Sequence, residues 1–270
     1  MRRQTADGRR QTERRYELLY GDELFDLIRE RPLAWAPLGL LEKHGGHLPW
    51  GLDGLKAHGV CLRLAERLGG VVLPATHLGS VHGDCREADE RAFRERFAAV
   101  GDLMYREETF RRFLHETFDG LANIGFRAIV AYTGHYPAVQ TRILREAAEA
   151  FTATGAATVI PFWEPLACGE GDHGGKWETS IYLALAPDAV RLDAIRDERT
   201  GQAGRYRGQD VRSHASTALG EKALAQVEAY LTEAVERALE GTTSPSPDEG
   251  ESPLSPPPSP SGRGRGKGSG

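Results

Sequence analysis

Residues 41–53 read Leu41-Glu42-Lys43-His44-Gly45-Gly46-His47-Leu48-Pro49-Trp50-Gly51-Leu52-Asp53, and within them Glu42, His44 and Asp53 are candidate ligands for a cation. On extended backbone Glu42 and His44, two apart, share one face. Carboxylate oxygen and imidazole nitrogen together suit a borderline divalent ion, at bond lengths of about 2.0–2.2 Å. Glycines 45, 46 and 51 let the chain turn back so that Asp53 can join them. The same residues also describe a polar loop with a helix cap at Asp53, and spacing alone does not separate the two readings. A second cluster, Thr133-Gly134-His135-Tyr136, follows the apolar run Ala128-Ile129-Val130-Ala131. A third is Asp172-His173-Gly174-Gly175-Lys176-Trp177-Glu178-Thr179-Ser180. Each has a plain alternative: a hydrogen-bonded structural histidine at 135, and a helix start with Asp172 and Glu178 merely solvated.

Such clusters need elements that bring them together. Leu33 to Leu41 is mainly apolar and ends in charge and glycine, as a buried strand does. Leu55, Val60, Leu64 and Leu68 form a helical stripe, and Val71-Val72-Leu73-Pro74 reads as a short strand. Phe110, Phe113, Leu114, Phe118 and Leu121 repeat at helical spacing. Phe126 to Tyr132 reads as a strand, Val139, Ile143 and Leu144 as helix, and Thr158-Val159-Ile160 as strand. Trp177 to Leu185 is helical up to Pro187, and Leu224, Val227, Leu231 and Val235 mark a last amphipathic helix. Strands alternating with helices imply a three-layer α/β/α fold, a mostly parallel sheet covered on both faces. Ligands gather beyond the carboxyl ends of such strands. That places chemistry just after residues 41, 75, 132 and 162.

The composition narrows the classes. With 40% hydrophobic residues, 27% charged residues and a net charge of -5, the 270-residue chain has the make-up of a globular protein and no basic excess for nucleic acid. Neither GxGxxG nor GxxxxGK[ST] follows a predicted strand. Cys61, Cys85 and Cys168 are scattered, which fits reduced thiols. Arginines 2, 3, 9, 10, 14 and 15 precede no apolar signal region, and no apolar run approaches the roughly 20 residues of a membrane span. The expected setting is cytoplasmic, with no membrane partner. Residues 1–15 read as a polar, frayed segment and 16–241 as the folded domain. Residues 242–270, rich in Pro, Ser and Gly, cannot bury enough apolar surface to offset ordering entropy and read as disordered.

The motifs also resemble a known family. Pro37-Leu38-Gly39 through Glu42, His44, His47-Leu48-Pro49 and Asp53 looks like the first signature of the creatininase (creatinine amidohydrolase) family. Gly134-His135 is similar to its second, Asp172-His173-Gly174-Gly175 with Glu178-Thr179-Ser180 to its third, and Ala218-Leu219-Gly220-Glu221-Lys222 to its final helix. The resemblance spans roughly residues 33 to 225. It implies the three-layer fold, one or two divalent metals, and a homo-oligomer, often a hexamer. Carried over by position, Glu42, Asp53 and His135 would hold one metal and His44 the other, with Asp53 bridging. Some members take a further carboxylate two residues after the second-signature histidine. Here that residue is Pro137, so Glu178 is the substitute candidate. His173 resembles the proton-transfer histidine, with Asp172 able to orient it. Zinc is the first candidate metal, and manganese and iron also suit N/O ligands.

The implied activity is hydrolysis of a C–N bond in a small amide, cyclic amide or formamide. Amide carbon is a poor electrophile and neutral water a poor nucleophile; a divalent ion lowers the pKa of its water from about 15.7 toward 7. The departures bear on substrate. No Asn precedes Gly134-His135, no Gly-Gly-Asn follows it, and His82-Gly83-Asp84-Cys85-Arg86-Glu87 lacks the usual Phe-Pro-Gly-Thr, so a standard creatinine pocket is not expected. The rival reading is a member that keeps the fold, has lost one metal and acts as a binding or regulatory protein. Pro137 is its main support. A nucleic-acid role would rest only on the Arg-Gly tail and the arginine-rich start.

Overall fold

The computed structural model describes residues 3–4, 10–80, 101–195, 205–206 and 209–241. The centre is a four-stranded sheet: β1 (Leu33–Leu38), β2 (Val71–Val72), β3 (Ala128–Thr133) and β4 (Thr158–Phe162), in the order β2-β1-β3-β4. Every pair is parallel. Of the helices, α1 (Glu23–Glu30) precedes β1. Parallel neighbours need crossovers, and α2 (Leu52–Leu68), α3 (Glu107–Ile124) and α4 (Ala138–Thr152) lie in them; α5 (Lys176–Leu185) and α6 (Thr217–Glu240) follow β4.

Alternation along the strands sorts the core into two layers. Ala34, Ala36 and Leu38 of β1, with Ile129 and Ala131 of β3, face Leu27, Phe110, Leu114, Phe118, Ile143, Leu144 and Phe151 from α1, α3 and α4. Leu33 and Trp35, with Ala128, Val130 and Tyr132, face Val60, Cys61 and Leu64 of α2, Ile181 of α5, and Leu224, Val227, Leu231 and Val235 of α6. Side chains at i and i+2 go to the same layer, as the pleat requires. The three-layer α/β/α architecture read from the sequence is the architecture found.

Three details differ from the sequence reading. The first strand ends at Leu38 rather than Leu41, because Gly39 leaves the ladder and packs against the start of α2. Leu55 is exposed at 41%, whereas Lys56 is buried at 0%. The buried face of α2 therefore begins with Leu52, Asp53 and Lys56, and its first turn looks toward the strand ends rather than into an apolar core. Glu13 to Arg15 lie beside the sheet rather than fraying: Val72 N–H donates to Arg14 O at 2.8 Å, and Arg14 Nη1 donates to Gly70 O at 3.1 Å. The segment His82 to Glu87 and the tail 242–270 lie outside the described residues.

Candidate metal centre

The site is built where α2 meets the ends of β1 and β3. Gly39 follows β1 and Gly134 follows β3. A Cβ on Gly39 would lie 2.2 Å from Gly54 N, and one on Gly134 would lie 2.1 Å from Asp53 O. Only glycine permits both approaches. They set the first turn of α2 directly against two strand ends, so Asp53 sits between the loop 39–51 and His135.

Around Asp53 the side chains converge. His44 Nδ1 lies 3.1 Å from the Glu42 carbonyl, which only accepts, so Nδ1 carries the proton and Nε2 of the neutral ring is a free lone pair. Nε2 lies 3.0 Å from Asp53 Oδ1, 3.7 Å from Glu42 Oε1 and 3.8 Å from Glu178 Oε2. His135 Nδ1 lies 2.8 Å from Glu42 Oε1 and 3.3 Å from Asp53 Oδ2. Three candidate ligand groups result, the donor atoms of each within 4.8 Å of one another: Glu42–His44–His173, and two that meet at one carboxylate, Glu42–Asp53–His135 and His44–Asp53–Glu178. Asp53 belongs to the last two.

The polar atoms left over test whether a cation fits. Among the described residues, both Asp53 oxygens, His44 Nε2 and His135 Nε2 are buried without a well-formed hydrogen bond. Leaving such groups unsatisfied is costly. The Asp53 oxygens, with His44 Nε2 at 3.0 Å and His135 Nδ1 at 3.3 Å, bring carboxylate and imidazole together as the donor set of a zinc- or manganese-type ion. The residues fit a metal.

Charge within the cluster is correspondingly strong. Burial alone would push the imidazoles down. For His44 the carboxylates of Asp53, Glu178 and Glu42 override it and raise the ring to about 9. For His135, Asp53 and Glu42 raise it to about 10. Burial also works against the Asp53 charge, but His44 and His135 hold that carboxyl well below the usual carboxylate range. His47 goes the other way: burial and the neighbouring His44 push it down to about 4.

Glu178, Asp172 and His173 occupy the third corner. Glu178 is in the first turn of α5, where Oε2 accepts from Gly174 N at 2.7 Å and Oε1 accepts from Lys56 Nζ at 2.8 Å. Asp172 does not hydrogen-bond His173. Its carboxylate accepts from Trp177 N at 2.8 Å and Glu178 N at 3.2 Å, satisfying the free N–H groups at the start of α5. That geometry corrects the orienting role expected from sequence, because the helix end competes for the same two oxygens. His173 is half exposed, with Nε2 3.0 Å from Lys43 O, Nδ1 3.6 Å from Glu42 Oε1 and its ring centroid 4.5 Å from that of His44. It stands at the mouth of a cavity of about 470 Å³ lined by Glu42, Asp53, His135, Pro137, Pro165 and Glu178, among others.

Sequence reasoning missed several members. Lys56 and Glu164 form a buried pair behind Glu178, at 2.9 Å. His47 Nε2 lies 3.0 Å from Thr179 Oγ1, tying the first loop to α5. Signals were present: a lysine three residues after Asp53 on an otherwise apolar helix face, and a glutamate just past the strand end at 162.

The family model for creatininase, creatinine amidohydrolase, matches residues 18–241. The chain belongs to the creatininase family. It is 29% identical over 181 residues to the creatinine amidohydrolase of Pseudomonas putida, covering 60% of this chain and 67% of that one. Two solved creatininases, a manganese form and a zinc–zinc type of a Glu-to-Gln variant, each share the fold at a TM-score of 0.61, with 22% identity over 84% of this chain and 98% of theirs.

Proposed function

We propose that this chain is a metal-dependent amidohydrolase that cleaves the C–N bond of a small amide, cyclic amide or formamide. The observation that carries the reading is Asp53, a buried carboxylate shared by two ligand groups, with imidazole nitrogens 3.0 and 3.3 Å from its oxygens but no well-formed hydrogen bond on either. Glu42, Asp53 and His135 would hold one divalent ion, and His44, Asp53 and Glu178 the other, with zinc the first candidate and manganese or iron suited to the same atoms. Bound there, the ions would supply an activated water and polarise a carbonyl.

This chain's residues do the rest. Pro137 and Pro165 line part of the cavity with uncharged surface. His173, half exposed at the mouth, is placed to hand a proton to the departing nitrogen. Asp172 acts from the helix side, holding the backbone of Trp177 and Glu178 in place. A homo-oligomer, hexameric as the family resemblance implies, completes the proposal. No helix among the described residues is long and apolar enough to cross a membrane.

One observation favours a second reading. Pro137 lines the cavity at the position where some relatives carry a ligand, which suits a member with one metal and a binding or regulatory role. Against it, the His44–Asp53–Glu178 group forms without residue 137. The experiment is metal analysis of the purified chain, followed by assay on a panel of cyclic amides and formamides. Two ions per chain with turnover support the hydrolase; stoichiometric metal with no turnover across the panel supports the second reading.

A further inference from the structure

Lys56 is unusual in lying one turn along α2 from Asp53, wholly buried, without reaching the cavity. Its Nζ donates to Glu178 Oε1 at 2.8 Å and to the Gly134 carbonyl at 3.3 Å, and lies 2.9 Å from Glu164 Oε1. Two hydrogen bonds and one ion pair thus hold the ammonium. Tyr136, another residue of the cavity wall, has its ring centre 5.0 Å from the ammonium. Glu164 is also fully buried, and Lys56 is its ion-pair partner among the described residues. Removing two charges from water costs several kcal/mol per ion, and an apolar pair of similar volume would fill the same space more cheaply. Space-filling therefore does not account for a lysine here.

What the lysine does is visible at Glu178. One carboxylate oxygen is taken by Lys56 and the other is aimed by Gly174 N–H toward His44 and Asp53. The carboxylate cannot rotate without breaking a buried charge-assisted hydrogen bond. Lys56 alone would bring a positive charge next to a cation site. Glu164, on its far side, offsets that charge.

We propose that Lys56, neutralised by Glu164, is a positioning residue that locks Glu178 as a one-oxygen ligand for the ion held with His44 and Asp53. The inference rests on the proposed metal centre. Neither residue belongs to a ligand group, and neither lines the cavity. Their effect should fall chiefly on one ion, because Lys56 hydrogen-bonds the Glu178 carboxylate of one group directly, whereas its hydrogen bond nearest His135 goes to the Gly134 carbonyl rather than to a ligand side chain.

The test separates position from charge. The double variant Lys56→Met with Glu164→Gln removes one positive and one negative charge together, so the net charge behind Glu178 is unchanged. Metal-free wild type and variant are titrated with Zn²⁺ against a chromogenic chelator, and the two binding steps are read separately. Folding of the variant is checked by circular dichroism. The expected result is a loss of about 10–100-fold in affinity for one ion, the range seen when groups behind a ligand are removed, with the other step little changed. Wild-type affinity for both ions in the folded double variant overturns the inference and leaves the metal centre standing. A wild-type chain that takes up no zinc overturns both. If the double variant does not fold, Glu164→Gln alone serves, since it leaves an uncompensated ammonium beside one site. It should weaken one step selectively, and two unaltered steps would overturn the inference.

Discussion

At the scale of single residues, the account rests on which atoms lack a partner. His44 and His135 would be ordinary buried histidines if each ring nitrogen found a donor or acceptor. Instead Nε2 of each is buried with no well-formed hydrogen bond among the described residues, while His44 Nε2 and His135 Nδ1 lie 3.0 and 3.3 Å from the Asp53 oxygens. Replacing Asp53 by Ala should therefore remove metal binding at both positions, whereas His173→Ala should leave metal content intact and lower turnover by about 10²–10⁴-fold, the usual worth of a positioned acid or base. Metal quantification paired with a steady-state assay reads both outcomes. The candidate ligands were legible because Glu42, His44 and Asp53 fall in one short glycine-rich run, and His135 follows an unmistakable buried strand. Lys56 gave only a faint signal, its place on the apolar face of a helix. A lysine on a helix is usually a solvated residue, and only the tertiary placement of Glu164 and Glu178 shows this one to be buried.

At the scale of elements, two glycines and one cap hold the site in register. Gly134→Ala would drive a Cβ to within 2.1 Å of Asp53 O. Relief requires the end of β3 and the start of α2 to separate, so we expect a loss of about 1–3 kcal/mol in stability, the range for overpacked sites, together with weakened metal binding. Chemical denaturation and metal titration of the variant check both; an unperturbed metal affinity would show that the close approach does not set the site. Asp172→Ala should cost about 0.5–2 kcal/mol as a lost helix cap. Because that cap also fixes Glu178 N, metal affinity should fall as well; a stability loss with wild-type metal affinity would confine Asp172 to the helix alone. Strands and helices were read correctly in kind and order, since apolar periodicity survives in a sheet buried on both faces. Their ends were harder. Leu40 and Leu41 continue the apolar run but not the ladder, because Gly39 turns the chain toward α2.

At the scale of the whole molecule, the buried charge cluster couples pH to stability. In the metal-free chain His44 and His135 are raised to about 9 and about 10, above the ordinary 6.5 of an unfolded histidine. The folded state thus binds protons more tightly, and its stabilisation is fully present below about pH 6.5. It is lost as pH rises through about 9 to 10. Thermal melts of metal-free protein between pH 6 and 10 should show Tm falling with pH over that window, and a rising Tm would contradict the charge assignments. Added metal should reverse the trend, because ions and protons compete for the same imidazole nitrogens. The sheet order and the two-layer core follow from the alternation of strand and helix, which the sequence displays openly. The shared position of Asp53 depends on contacts between residues far apart in the chain, and no local pattern reports those.

The most direct test is diffraction from crystals of the zinc-loaded protein, recorded on either side of the zinc absorption edge. The account predicts two anomalous peaks roughly 3.5–4 Å apart, with the Asp53 carboxylate between them, one peak beside Glu42 and His135 and the other beside His44 and Glu178. Peaks away from Asp53, or full zinc loading with Asp53 turned aside, would contradict it.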